Sequence, residues 1–302
     1  MEKTADTPSG RVYEQLFALA RNERSAVREH LLTYCFEGFL DRVSQSPFRD
    51  QLVLKGGVLL SWFSSRRMTR DIDLQTVDVE CNVETVQEMI DSIIGVDVED
   101  GLNFVVTGTN LEPLGPGGHR IRVQITADLD TVEVPFHVDL FFGDPIWPGP
   151  IEITLDRLLE GQIEMLGYPV HMILAEKIIT SIDPSVTTTR LRDFLDIASI
   201  ADAHEADASD LRTALEKVAQ FREVELQPLG EALDELAPRV QSQWVIWRRR
   251  HKLDELITSR FHVVLDLCIR FADPVIEESV GEGTWDPEGY GWTTSLIATP
   301  NT

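Results

Sequence analysis

Cysteine is scarce in this chain, with three among 302 residues. Cys35, Cys81 and Cys268 lie far apart, are odd in number and form no CxxC pair. That excludes a disulfide framework and a thiolate zinc site, and leaves reduced, mostly buried thiols as the expectation. Basic side chains are few as well. Against 51 Asp and Glu stand 27 Lys and Arg, a net charge of −24. Such a chain resists non-specific contact with nucleic acid or an anionic membrane. Any polyanion it binds must meet a local basic patch, whereas a cationic partner protein suits the bulk charge. No apolar run approaches the ~18 residues of a membrane span. Residues 1–10 are polar and lack the basic start and apolar stretch of a signal peptide, so a cytoplasmic location is expected. The seven histidines show no HxxxH or HExxH spacing. His137 and His171 are read as structural.

What is present reads as a globular protein of mixed class. Residues 11–46 carry apolar side chains at three- and four-residue spacing, the helical period. Gln51 to Leu54 is a short apolar run entering Gly56-Gly57, a strand meeting a tight turn, and Val58 to Phe63 reads as a short helix. Asp71 to Val77 is the next strand and Val83 to Ile94 a helix. Leu102 to Gly108, His119 to Ile125 and Thr131 to Phe142 read as strands. Arg120, Arg122 and Gln124 alternate there with Ile121, Val123 and Ile125, the pattern of a half-buried strand. Pro113 to Gly118 forms a hairpin loop. Beyond residue 170 the chain reads as nearly all helix, with Asp207 or Ser209 as an N-cap near the third helix. The expected fold is α+β: a mixed-sheet lobe over 1–165, a helical lobe over 166–280 that completes a cleft, and a loose, Gly-rich tail over 281–302.

The strongest chemical signal is Lys55-Gly56-Gly57 followed by Arg70-Asp71-Ile72-Asp73. Side chains alternate along a strand, so Asp71 and Asp73 point the same way. Two like charges side by side need a cation, and hard carboxylate oxygens suit Mg²⁺ together with phosphates and water. Two glycines let backbone approach a ligand closely, and the following helix start can hold phosphate oxygens. In His137-Val138-Asp139-Leu140-Phe141, Asp139 sits in an apolar strand where an unpartnered acid is costly, and a metal would partner it. Three acids on neighbouring strands are able to hold two divalent ions. A lone DxD is weak in so acidic a chain. The ordered set of strand, GG, short helix, basic patch, DxD and later Asp-bearing strand is far more specific.

That set resembles the nucleotidyltransferase superfamily related to DNA polymerase β, and more closely the AbiEii-type toxins, including the mycobacterial MenT proteins. Leu52 to Gly57, Thr69 to Asp73, His137 to Pro145, Leu174 to Lys177 and Arg190 to Asp196 carry the likeness in the same order. One departure is Val58, where the family often has Ser or Thr. The resemblance implies an NTP-dependent, pyrophosphate-releasing transferase with Asp71, Asp73 and Asp139 as ligands of two Mg²⁺ ions. It implies nucleotide contacts from Lys55, Gly56, Gly57, Arg70 and Lys177. It draws Lys177 and Asp193 into the catalytic set with Asp196 as second choice, although Lys177 by itself reads as a solvated partner of Glu176. It further implies a toxin with a cognate antitoxin, and the acceptor end of tRNA as target. Arg66, Arg67 and the run Trp247 to Lys252 are candidate phosphate contacts. Transfer to a small molecule or a protein hydroxyl, and a non-catalytic nucleotide- or partner-binding module, are the competing readings.

Overall fold

The computed structural model describes residues 7–23, 26–63, 69–114, 118–183 and 190–293. Arg66, Arg67 and the tip of the 113–118 loop lie outside the described residues. Among the described residues no helix is long and apolar enough to cross a membrane. The chain divides into two compact units, one comprising residues 1–144 and 148–168, the other residues 145–147 and 169–302.

The first unit opens with helices α1 (Pro8–Glu23) and α2 (Val27–Gln45). After a short 3-10 turn the chain runs through β1 (Leu52–Lys55), α3 (Gly56–Phe63), β2 (Asp71–Thr76) and α4 (Val83–Ile94). It continues into β3 (Leu102–Pro113), β4 (His119–Leu129), β5 (Val132–Phe142), β6 (Ile151–Asp156) and β7 (Gln162–Gly167). The strands form one seven-stranded mixed sheet in the order β3-β4-β5-β2-β1-β7-β6. Strand β2 runs parallel to β5 and β1 parallel to β7, while the other neighbours are antiparallel. The β6–β7 hairpin is not among the strands expected from the sequence. Its period-two signal is short and preceded by Pro148 and Pro150, which mask its start.

The period-two patterning sorts the sheet into two faces. Ile72, Leu74, Ile121, Val123, Ile125, Phe136, Val138 and Leu140 are buried on one. Helix α2 supplies Cys35, Phe36, Phe39 and Val43, and α4 supplies Val86, Met89, Ile90 and Ile93. Phe36 meets Phe136 edge-on at 5.3 Å, and Phe39 meets Phe104 at 6.1 Å. Each large apolar side chain removed from water here contributes about 1.5–3 kcal/mol. A buried bidentate pair adds to this contact: Arg42 of α2 holds Asp100, just before β3, at 2.6 and 3.0 Å. The opposite face carries the ionisable residues. In register across four strands stand Lys55, Asp73, Asp139 and Arg122.

The second unit consists of α5 (Val170–Ile182), α6 (Leu191–Ala203), β8 (Ala206–Asp207), α7 (Ala208–Arg222), α8 (Leu229–Ala232), α9 (Leu236–Arg250), α10 (Phe261–Ile276), β9 (Thr284–Asp286) and β10 (Gly291–Thr293). Asp207 caps α7 by accepting the Asp210 N–H at 2.9 Å. The expected loose tail is corrected as far as residue 293: β8, β9 and β10 form a three-stranded sheet. Trp285 is fully buried against Phe271 and donates its indole N–H to the Ala201 carbonyl at 2.7 Å. Aromatic burial outweighs the chain entropy of the surrounding glycines, which a composition-based reading overweights.

Candidate active site

The site is built on the turn from β1 into α3, on the start of β2 and on the second half of β5. Gly56 has φ +66°, a conformation that favours glycine, and a Cβ there would overlap the Asp73 carboxylate. At Gly57 a Cβ would lie 2.7 Å from the Thr69 side chain. The Gly57 N–H points to Asp73 Oδ2 at 3.4 Å. The glycines therefore serve first to let the turn close on Asp73 and Thr69. The departure at Val58 removes a hydroxyl from this turn, but Thr69 brings one beside Gly57. Its Oγ1 donates to the Asp71 carbonyl at 3.1 Å.

Asp71 and Asp73 lie on the same face of β2, as the period-two rule requires. The Asp71 carboxylate is about a third exposed, with side-chain accessibility 36%, and sits 3.3 Å from His137 Nδ1. Asp73 is half-buried behind the glycine turn. Burial and the neighbouring charge of Asp139 push its carboxyl up to about 6, while Lys55 and the Gly57 N–H act in the opposite direction. Mg²⁺ needs only one or two carboxylates besides phosphate and water oxygens, so the Asp71–Asp73 pair fits it.

Asp139, expected from the sequence to complete that set, has protein partners of its own. It is 2% exposed and clasped by arginine. Arg122 Nε donates to Asp139 Oδ1 and Nη2 to Oδ2, each at 2.7 Å, and Arg120 Nη1 reaches Oδ2 at 3.2 Å. Among the described residues no three His, Cys, Asp or Glu side chains gather closely enough to hold a metal ion. Asp139's need for a partner is legible in the sequence; the partner that meets it is not named there. The available signal is the alternation of β4: Arg120 and Arg122 share a face, and hairpin register sets them against the odd-numbered positions of β5. His137, read as structural, stands beside Asp71.

Lys55, expected at the nucleotide, is buried, pairs with Asp144 at 3.1 Å and lies over the rings of Phe141 and Tyr168 at 4.6 and 4.8 Å. Arg70 is exposed next to Asp71. In the second unit, Lys177 of α5 meets Asp193 and Asp196 of α6 at 3.0 and 2.7 Å. Burial by itself would lower its pKa, but the two aspartates outweigh that and hold the ammonium above its ordinary value. The reading of Lys177 as a solvated partner of Glu176 is thus corrected. Arg190 approaches Asp193 at 3.3 Å. The basic run of α9 is also redistributed. Arg248 is buried and donates to the carbonyls of Asp254 and Ile257, while Trp247 is flanked by Trp244 at 5.4 Å and His251 at 4.5 Å. Arg249, Arg250 and Lys252 stay exposed.

A family model described as Nucleotidyl transferase AbiEii toxin, Type IV TA system, matches residues 38–264. Among solved structures the chain is similar to MenT4, the nucleotidyltransferase toxin Rv2826c of Mycobacterium tuberculosis H37Rv. The identity is 20% and the TM-score 0.50, over 71% of this chain and 74% of that one. It is similar also to JHP933 of Helicobacter pylori, at 16% identity and a TM-score of 0.44, over 80% of this chain and 89% of that one. A comparison with curated proteins gives no match.

Proposed function

The chain belongs to the nucleotidyl transferase AbiEii toxin family of type IV toxin–antitoxin systems, and from that premise we propose that it moves a nucleoside monophosphate from an NTP to an acceptor hydroxyl at a Mg²⁺ site on Asp71 and Asp73. In the reaction the acceptor oxygen bonds to the α-phosphorus, the bond to the bridging oxygen breaks, and pyrophosphate departs. Bound Mg²⁺ supplies charge neutralisation to the phosphate oxygens and acidifies the attacking hydroxyl. The chain's own residues prepare the place. Gly56 and Gly57 leave the turn free of side chains, and the first amides of α3 suit an anionic ligand. The Gly57 N–H orients Asp73, and the Thr69 hydroxyl fixes the backbone at Asp71. Arg70 adds exposed positive charge beside the pair. The family resemblance also assigns Lys177 and Asp193 to the reaction.

The observation that carries this reading is the Asp71–Asp73 pair at the start of β2, beside a turn that admits no side chain at position 56. The test is incubation with each labelled NTP, Mg²⁺ and total cellular RNA, followed by finding which component gains the label. Asp71→Asn and Asp73→Asn should abolish labelling while leaving circular dichroism unchanged. Near wild-type turnover in either variant at saturating Mg²⁺ would remove the metal assignment.

For the acceptor, the resemblance supports tRNA and a cognate antitoxin as partner. A second reading, transfer to a small molecule or a protein hydroxyl, is favoured by the net charge of −24 and by the loss of Arg248 from the surface available to RNA. The labelling experiment separates the two directly.

A further inference from the structure

Three cations, Lys55, Arg120 and Arg122, share the polar face of the sheet with Asp71, Asp73, Asp139, Asp144 and Glu112. Arg122 is the central member of this arrangement. Its fork takes both oxygens of Asp139, and its Nη2 lies 4.0 Å from Asp71 Oδ2. Asp139 is nearly fully buried, so the pair is poorly screened, and charge-assisted two-point pairs are the strong ones. To offer Asp139 to a metal, the protein would have to break both bonds and leave a guanidinium beside the incoming cation.

We propose that Arg122 stands in for a second divalent cation: it keeps Asp139 neutralised as a positioning residue, so that this site loads a single metal ion, on Asp71 and Asp73. The proposal rests on the metal assignment above and narrows it. Arg122 thereby holds the acid row in place before any metal or nucleotide arrives. Arg120, shared between Glu112 and Asp139, supports the same clasp from the neighbouring position of β4.

The test uses Mn²⁺ alone as probe, with the full chain and no nucleotide, counting bound ions by electron paramagnetic resonance at pH 7.5. The wild type should bind one Mn²⁺ at this site, lost in Asp71→Asn. Arg122→Gln leaves Asp139 only the 3.2 Å contact from Arg120 and should bind a second Mn²⁺, or bind the first at least about ten-fold more tightly. In the double variant Arg122→Gln/Asp139→Asn both charges are gone, and the count should return to one. Removing one partner of a buried pair is destabilising. Where Arg122→Gln folds only with Mn²⁺ present, that rescue also supports the proposal. If the variant stays unfolded at millimolar Mn²⁺, Arg122→Lys decides. The point charge of Lys cannot hold both oxygens and should admit a second ion, and a count still at one overturns the proposal. Two ions in the wild type, the second lost in Asp139→Asn, overturn it too, as does a folded Arg122→Gln with unchanged count and affinity. A wild type with no Asp71-dependent Mn²⁺ overturns the underlying metal assignment instead, and is a distinct result.

Discussion

At Glu37 of α2, one carboxylate oxygen accepts the Leu158 N–H at 2.8 Å, and the other is buried with no hydrogen-bond partner among the described residues. Burial pushes this carboxyl up to about 7, against the smaller opposing pull of the Leu158 N–H and Arg157. The folded chain therefore keeps a proton that the unfolded chain releases near 4.5. Stability falls as pH rises through that window, and the penalty is complete above about 7. Glu37→Gln should leave stability unchanged at pH 4 and raise it by about 1–2 kcal/mol at pH 8, with the shift discounted for partial exposure. Thermal melts of both proteins at the two pH values check this, and an equal gain at each would rule out the carboxyl as its cause. Lys177 makes the opposite case. It neutralises two buried aspartates, so Lys177→Ala should destabilise by about 3–5 kcal/mol in urea denaturation. A loss below about 1 kcal/mol would show that water screens the cluster as at a surface.

Elements, more than single side chains, decide where the second unit ends. The ribbon of β9 and β10 looks weak by propensity, since its strands are three residues each and glycines surround them. It is held by side chains that reach across α6 and α10. Trp285 and Trp292 donate to the carbonyls of Ala201 and Phe271, at 2.7 and 2.9 Å, and both rings contact Phe271. Trp285→Ala removes a fully buried indole and should cost about 3–5 kcal/mol. Amide hydrogen exchange should accelerate in β8 and at the end of α6 as well as in the ribbon. Exchange confined to residues 284–293 would show that the ribbon packs passively on a unit stable without it. In the first unit, the β1–α3 turn shows the same dependence of an element on one residue. Only glycine at position 56 combines φ +66° with contact against Asp73.

Charge acts on the whole molecule. At −24, the chain repels RNA from a distance, so any RNA contact rests on short-range basic residues and on counterion release. Arg248 is excluded from that surface because it satisfies carbonyls of the following loop. The informative variant is thus Arg249→Gln/Arg250→Gln/Lys252→Gln, which spares the fold. If RNA is the acceptor, this variant should weaken RNA binding and reduce the slope of log affinity against log salt by about 2–3 from the wild-type value, since each lost phosphate contact removes roughly one unit. Nucleotide binding should stay as it was. A salt-independent affinity in the wild type would move the acceptor to a small molecule or a protein.

The sequence by itself determined the element order as far as β5, the two faces of the sheet and the position of the acid pair, because these follow from local rules. Period two puts Asp71 and Asp73 together whatever they pack against, and Gly56-Gly57 after a strand marks a tight turn by residue type alone. Membership in the family was legible for the same reason, in motifs of fixed spacing. Which partner each charge takes was not legible, since that depends on strand register and helix contacts between residues far apart in the chain. Hairpin register set Arg122 on Asp139, where the sequence pointed to a metal. Packing of α5 on α6 enclosed Lys177 between two aspartates rather than in solvent. Packing of two tryptophans on Phe271, which composition cannot foresee, turned the start of a glycine-rich tail into a sheet. Tertiary structure decided these points because the energy of a charge or a ring is set by its neighbours in space.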